Sequence, residues 1–287
     1  MGEMKVGVVL PSLEVQARDG IDLRVAARHA EAAGMDSVWL GDHLMTGRPS
    51  LDIVAALATA AAVTDRISIG AGVFVPAIRP LAWAAKQVAS LQHLSGGRLI
   101  LGVGSGGDAR QWAAAEVDYA ERGPRTDRAL DLLPALLAGE RVRIGAHNVE
   151  LSPAVTRPPI WVGNASPIAI RRAARAGDGW FPSLIPPAQV AAGAARLAEL
   201  ADSPRDIAVG TTGALGDGVS GRARIAAAIA NAYGIEAAGL PIVGSPDEAA
   251  HRLNEFRAAG ATHVVMGFAD GRWRDQCDLL AQSRHLL

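Results

Sequence analysis

Short apolar runs and longer helix-like segments alternate along the whole chain. Runs of strand length occupy residues 5–11, 37–41, 67–73, 99–104, 160–164, 179–183, 207–215 and 263–268. Eight such runs separated by helical patterns predict a parallel sheet closed into a (β/α)8 TIM barrel, a fold that runs to about 250 residues as one domain. Residues 1–287 are therefore expected to form a single domain.

The predicted helices have readable ends. Asp22 is placed to cap a helix with an apolar face of Leu23, Ala26, Ala27, Ala30 and Ala33, and Gly34 stops it. Ser166 caps and Pro167 opens a second, which ends before Gly177. Ser245-Pro246-Asp247-Glu248 starts a third, which ends at Gly260. Two segments break the cadence and are predicted as insertions after strands 4 and 7: residues 108–126, and residues 216–244 with a helix pattern around 222–233. The second reads equally well as a lid or as a surface elaboration.

Composition narrows the function classes. The chain carries 28 basic and 29 acidic residues for a net charge of −1, with no basic tract, which argues against a nucleic-acid partner. The weakly polar stretch 53–63 falls far short of the roughly 20 residues that span a bilayer, and no signal peptide is evident, so a cytoplasmic protein without membrane association is expected. The single Cys277 makes an internal disulfide impossible and reads as a small buried hydrophobe. The seven histidines show no ligand spacing, so no metal site is expected.

Candidate chemistry sits at predicted strand ends, where α/β barrels place their active sites. The second strand delivers Asp42 and His43 side by side after Gly41, and the third runs through Gly72 into Val73. Read from the residues alone, Asp42 and His43 suit capping and structure as well as they suit catalysis. Gly102, Gly104 and Gly107 satisfy G-x-G-x-x-G, but in the fourth unit, with no apolar strand behind them to carry a ribose-binding acid. A glycine-rich strand end making room for a flat cofactor is the more economical reading. At the fifth strand end, Asn164-Ala165-Ser166 leads into a helix start whose amides suit a phosphate, with Arg171, Arg172 and Arg175 adding positive charge.

Six motifs in order resemble the bacterial luciferase-like family of flavin- or deazaflavin-dependent oxidoreductases, from Lys5 to about Leu280. They are Trp39-Leu40-Gly41-Asp42-His43; Ile69-Gly70-Ala71-Gly72-Val73 with Arg79-Pro80 behind it; Ser95-Gly96-Gly97-Arg98 leading into Leu101-Gly102-Val103-Gly104-Ser105-Gly106; Pro159-Ile160-Trp161-Val162-Gly163; Ala176-Gly177-Asp178-Gly179-Trp180; and Gly244-Ser245-Pro246-Asp247-Glu248. The resemblance implies a barrel, often homodimeric, with the cofactor ring at the C-terminal ends of the strands.

Family members that use the deazaflavin coenzyme F-420 carry an Asp-His pair where this chain has Asp42 and His43. On that match His43 is the proton donor or acceptor, and Asp42 orients it or contacts the cofactor. A cis peptide is implied at Gly72–Val73. Ser105, Gly106 and Gly107, with Asn164, Ala165 and Ser166, match positions touching the cofactor's polar side and phosphate. The implied reaction is hydride transfer between F-420 and a small organic substrate; an FMN-dependent monooxygenase and a non-catalytic cofactor binder are the alternatives. Sugar-phosphate dehydrogenases of the family have Glu and Trp where this chain has Gly107 and Gly47, so that substrate does not carry over, although Asp108 stands one residue on as a carboxylate.

Overall fold

A computed structural model describes residues 4–287. Its first half runs β1 (Lys5–Val9), α1 (Leu13–Asp19), α2 (Leu23–Ala32), β2 (Ser37–Leu40), α3 (Ile53–Ala62), β3 (Ser68–Phe74), α4 (Leu81–Leu94), β4 (Leu99–Val103), α5 (Ala109–Ala114) and α6 (Arg122–Leu137). The second half runs β5 (Val142–Ile144), β6 (His147–Val149), β7 (Ile160–Gly163), α7 (Pro167–Ala176), β8 (Gly179–Phe181), α8 (Pro187–Leu200), β9 (Asp206–Leu215), α9 (Arg222–Tyr233), β10 (Ile242–Gly244), α10 (Pro246–Ala258), β11 (His263–Phe268) and α11 (Trp273–His285).

Eight of these strands close a parallel barrel in the order β1, β2, β3, β4, β7, β8, β9, β11, sealed where β11 pairs with β1. They are the eight apolar runs of the sequence. Three short strands lie outside that set: β5 and β6 form an antiparallel hairpin, and β10 extends the sheet beside the far end of β9. Each has only three residues, and His147 and Asn148 are exposed, so no apolar run marks them. The 108–126 segment holds α5, a 3-10 turn at Tyr119–Glu121 and the first turn of α6, while residues 216–244 hold α9 and β10.

The helix ends follow local chemistry. The Asp22 carboxylate accepts the Val25 amide, Ser166 Oγ accepts that of Ala169, and Ser245 with Glu248 completes a capping box. Alanine is the small side that lets helices approach the sheet: Ala26, Ala27 and Ala30 of α2, and Ala84, Ala85 and Ala89 of α4, are fully buried. Cys277 is buried in α11, and burial pushes its thiol up to about 12, so it is an inert packing residue.

The barrel interior has its own layer. Trp39 and Trp161 stack with centroids 5.6 Å apart, and Phe181 packs against both. Beneath them the Trp39 indole N–H donates to Ser37 Oγ (2.6 Å), which lies 2.7 Å from His263 Nε2.

Candidate active site

The site is built where β2 and β3 end. After Leu40 the chain turns through Gly41 and buries the Asp42 carboxylate, whose side chain is 5% exposed. Asp42 Oδ1 and Oδ2 accept both terminal nitrogens of Arg79, at 2.7 and 2.6 Å, and Oδ2 also accepts the Val75 N–H (2.9 Å). Arg79 in turn donates to the Val75 carbonyl and covers the Phe74 ring, and Arg125 donates to the Ala77 and Arg79 carbonyls. A two-pronged charged pair of this kind fixes geometry as well as contributing energy. Asp42 thus ties the loop bearing His43 to the segment leaving β3.

Just before that segment, β3 itself carries the Gly72–Val73 peptide, which is cis, inside a bulge where the β3–β4 register shifts between Ala71 and Phe74. His43 is exposed and makes no hydrogen bond to another described residue, leaving both ring nitrogens available. A Cβ placed on Gly41 would lie 2.9 Å from His43 Nε2 and 3.6 Å from the Gly72 carbonyl. Imidazole and bulge therefore converge on one glycine, and only glycine admits both.

The glycines at the ends of β4 and β7 do make room, but for a side chain of the protein itself. A Cβ on Gly104 or Gly163 would meet the Val73 methyls at 2.4 and 2.7 Å, and one on Gly102 would meet the Ala71 carbonyl at 2.2 Å. Val73 thus occupies the room that the glycines of β4 and β7 leave.

A cavity of about 440 Å³ lies above the aromatic plug at the barrel mouth, within the ordinary size of small-molecule and cofactor sites. Trp39, Phe181 and Val265 form its floor, Gly41 and Gly72 one wall, and Ile225 and Ile229 of α9 its roof. Of the residues proposed from sequence, Gly72 lines it and His43 abuts it through Gly41. Ser105, Gly106 and Gly107 lie outside it, beyond Val73, as do Asn164, Ala165 and Ser166.

Those six occupy neighbouring strand ends on the same face. Gly106 has φ +62 and packs on Trp112, whose buried indole N–H has no partner, while Gly107 is exposed and its carbonyl accepts the Tyr119 hydroxyl (3.2 Å). Asp108 caps α5 through the Arg110 amide, and the Arg110 guanidinium holds its carboxyl below the usual range. Asn164 is left-handed (φ 85); its side-chain oxygen accepts the Ser166 N–H (2.8 Å), and its carbonyl accepts the Trp180 indole N–H. Arg172 and Arg175 do not serve this helix start. They pair with Asp127 and Asp131 of α6.

Sequence reasoning missed the cavity's roof and the partner of Asp42. The Ile225/Ile229 spacing marks an apolar face on α9, but nothing local says what that face covers. Arg79 stands in a motif, yet its pairing spans 37 residues.

A family model described as luciferase-like monooxygenase matches residues 4–216. An uncharacterised protein of Mycobacterium tuberculosis is 33% identical over 181 residues, covering 54% of this chain and 62% of that protein. An F-420-dependent glucose-6-phosphate dehydrogenase of Beutenbergia cavernae is 36% identical over 169 residues, covering 53% and 49%. The match thus spans about half to three fifths of the length of these curated relatives. A solved monooxygenase from Streptomyces bottropensis shares the fold, with a TM-score of 0.79 at 21% identity over 99% of this chain and 100% of that one.

Proposed function

The chain belongs to the luciferase-like monooxygenase family, and from that premise we propose that it is an oxidoreductase using the deazaflavin coenzyme F-420 to exchange a hydride with a small organic substrate. One observation carries the reading: the free His43 imidazole and the Gly72 wall of the bulge meet at the edge of the C-terminal cavity. A relative named as an F-420-dependent dehydrogenase supports the choice of cofactor.

The residues present fit such a group. The glycine wall at Gly41 and Gly72 and the apolar floor of Trp39 and Phe181 suit a flat ring. The half-buried Ser105 and Gly106 with the exposed Gly107, and the exposed Asn164, Ala165 and Ser166, would hold its polar, phosphate-bearing arm. When bound, F-420 supplies a two-electron hydride carrier. His43 takes or returns the substrate proton that balances hydride transfer, work suited to an imidazole near neutral pH. Asp42 acts through position: paired with Arg79 and the Val75 amide, it holds the His43 loop against the bulge. Assembly as a homodimer belongs to the same reading. Trp83 and Leu94, exposed apolar residues eleven positions apart on one face of α4, are suited to such a contact.

The test is anaerobic mixing of protein and oxidised F-420 with a panel of small alcohols and hydroxy acids, following loss of the deazaflavin's visible absorbance. At least one class is expected to bleach it, and His43→Ala, compared at saturating F-420, to slow that step about 10²–10⁴-fold. Oxygen consumption with reduced FMN, and no bleaching with F-420 in either direction, would replace this reading with the monooxygenase. A folded, F-420-saturated His43→Ala turning over at the parent rate removes His43 from the mechanism.

A further inference from the structure

The cavity is apolar or hydroxyl-lined apart from one residue. Among the described residues lining it, Arg48 is the single charged side chain, and no carboxylate or lysine faces the same space. The loop after β2 presents it: Gly47 is left-handed (φ +73) and projects no side chain, so the next residue supplies the rim's chemistry. Thr46 pins that residue's backbone, its Oγ accepting the Arg48 N–H (3.2 Å) and donating to the Arg48 carbonyl (2.9 Å).

The guanidinium itself is weakly engaged. Among the described residues its one ion pair is with Glu14 at 3.4 Å, between side chains 76% and 49% exposed, the kind of pair that contributes little and exchanges readily. A guanidinium at the mouth of an apolar cavity, with no buried counter-ion, is built to pair with an oxyanion, which its planar fork meets through two hydrogen bonds. Ile225, Ile229 and Leu184, which line the same cavity, offer only apolar contact.

We propose that the cavity selects substrates with an apolar body and one oxyanion, a carboxylate or a phosphate monoester, and that Arg48 is the residue that recognises the oxyanion. The proposal rests on the oxidoreductase reading, in that it assigns the substrate class of the same cavity. Glu14 then serves as the placeholder that an incoming anion displaces.

Calorimetric titration with hexanoate, hexyl phosphate and 1-hexanol, on protein with and without F-420, tests it. At least one of the two anions is expected to bind ten times or more tighter than 1-hexanol, and the tighter of them names the headgroup. Arg48→Gln should abolish that preference while leaving 1-hexanol binding within about twofold, and Glu14→Gln should tighten anion binding severalfold. Absence of anion preference, or a preference that survives in Arg48→Gln, overturns the proposal. So does an Arg48→Gln variant that loses F-420 affinity tenfold while its anion binding is unchanged, since the arginine then serves the cofactor. Failure of the unaltered protein to bind F-420 would count against the oxidoreductase reading alone, because the anion preference is read without cofactor as well.

Discussion

His263 stands inside the barrel at the start of β11, 2% exposed and within hydrogen-bond distance of Ser37. Burial lowers its pKa from 6.5 to about 4, with Asp36 opposing the shift and Lys5 adding to it. The folded chain therefore declines a proton that the unfolded chain accepts below pH 6.5. Stability is full above that pH, falls as pH drops toward 4, and loses no more to this residue beyond it; a window of that width is worth about 3 kcal/mol. Denaturant titrations between pH 7 and 4 should show His263→Gln with a shallower loss of stability than the parent; parallel curves contradict the assignment. The Asp42 and His43 pair was visible at this scale because both residues sit at the end of an apolar run. What Asp42 does was not visible, since its carboxylate answers to Arg79 and Val75, contacts that only the fold creates.

At the scale of elements, the site depends on how β3, β4 and β7 fit together. Val73 seats its methyl groups where Cβ atoms of Gly104 and Gly163 would otherwise stand. Gly104→Ala forces a methyl to 2.4 Å from Val73 Cγ2 and should destabilise by roughly 1–3 kcal/mol, the usual cost of overpacking. In a Val73→Ala background the same change should cost less than half as much, because the clashing partner is gone. Thermal or denaturant unfolding of the double-mutant cycle reads this coupling, and strictly additive effects refute the packing account. The barrel strands and the caps at Asp22, Ser166 and Ser245 were legible because each is written in adjacent residues. The reason for the glycines was not, because their partner lies one strand away. The β5–β6 hairpin and β10 escaped for a simpler reason: three residues are too few to show a period.

At the scale of the whole molecule, the barrel interior and α9 together bound the cavity. The aromatic plug of Trp39, Trp161 and Phe181 fills the interior, and Ile225 and Ile229 roof the space above it. The sequence shows α9 as a helix with an apolar face, and the choice between lid and surface elaboration turns on where the barrel mouth falls, a global property. In the structure the helix covers the cavity. On the proposed reading, this cavity and its adjoining loops hold a deazaflavin. Equilibrium fluorescence titration of the purified protein with F-420 and with FMN tests it most directly. F-420 is expected to bind at least ten times tighter, a difference of about 1.4 kcal/mol. An FMN affinity equal to or greater than that for F-420 would contradict it.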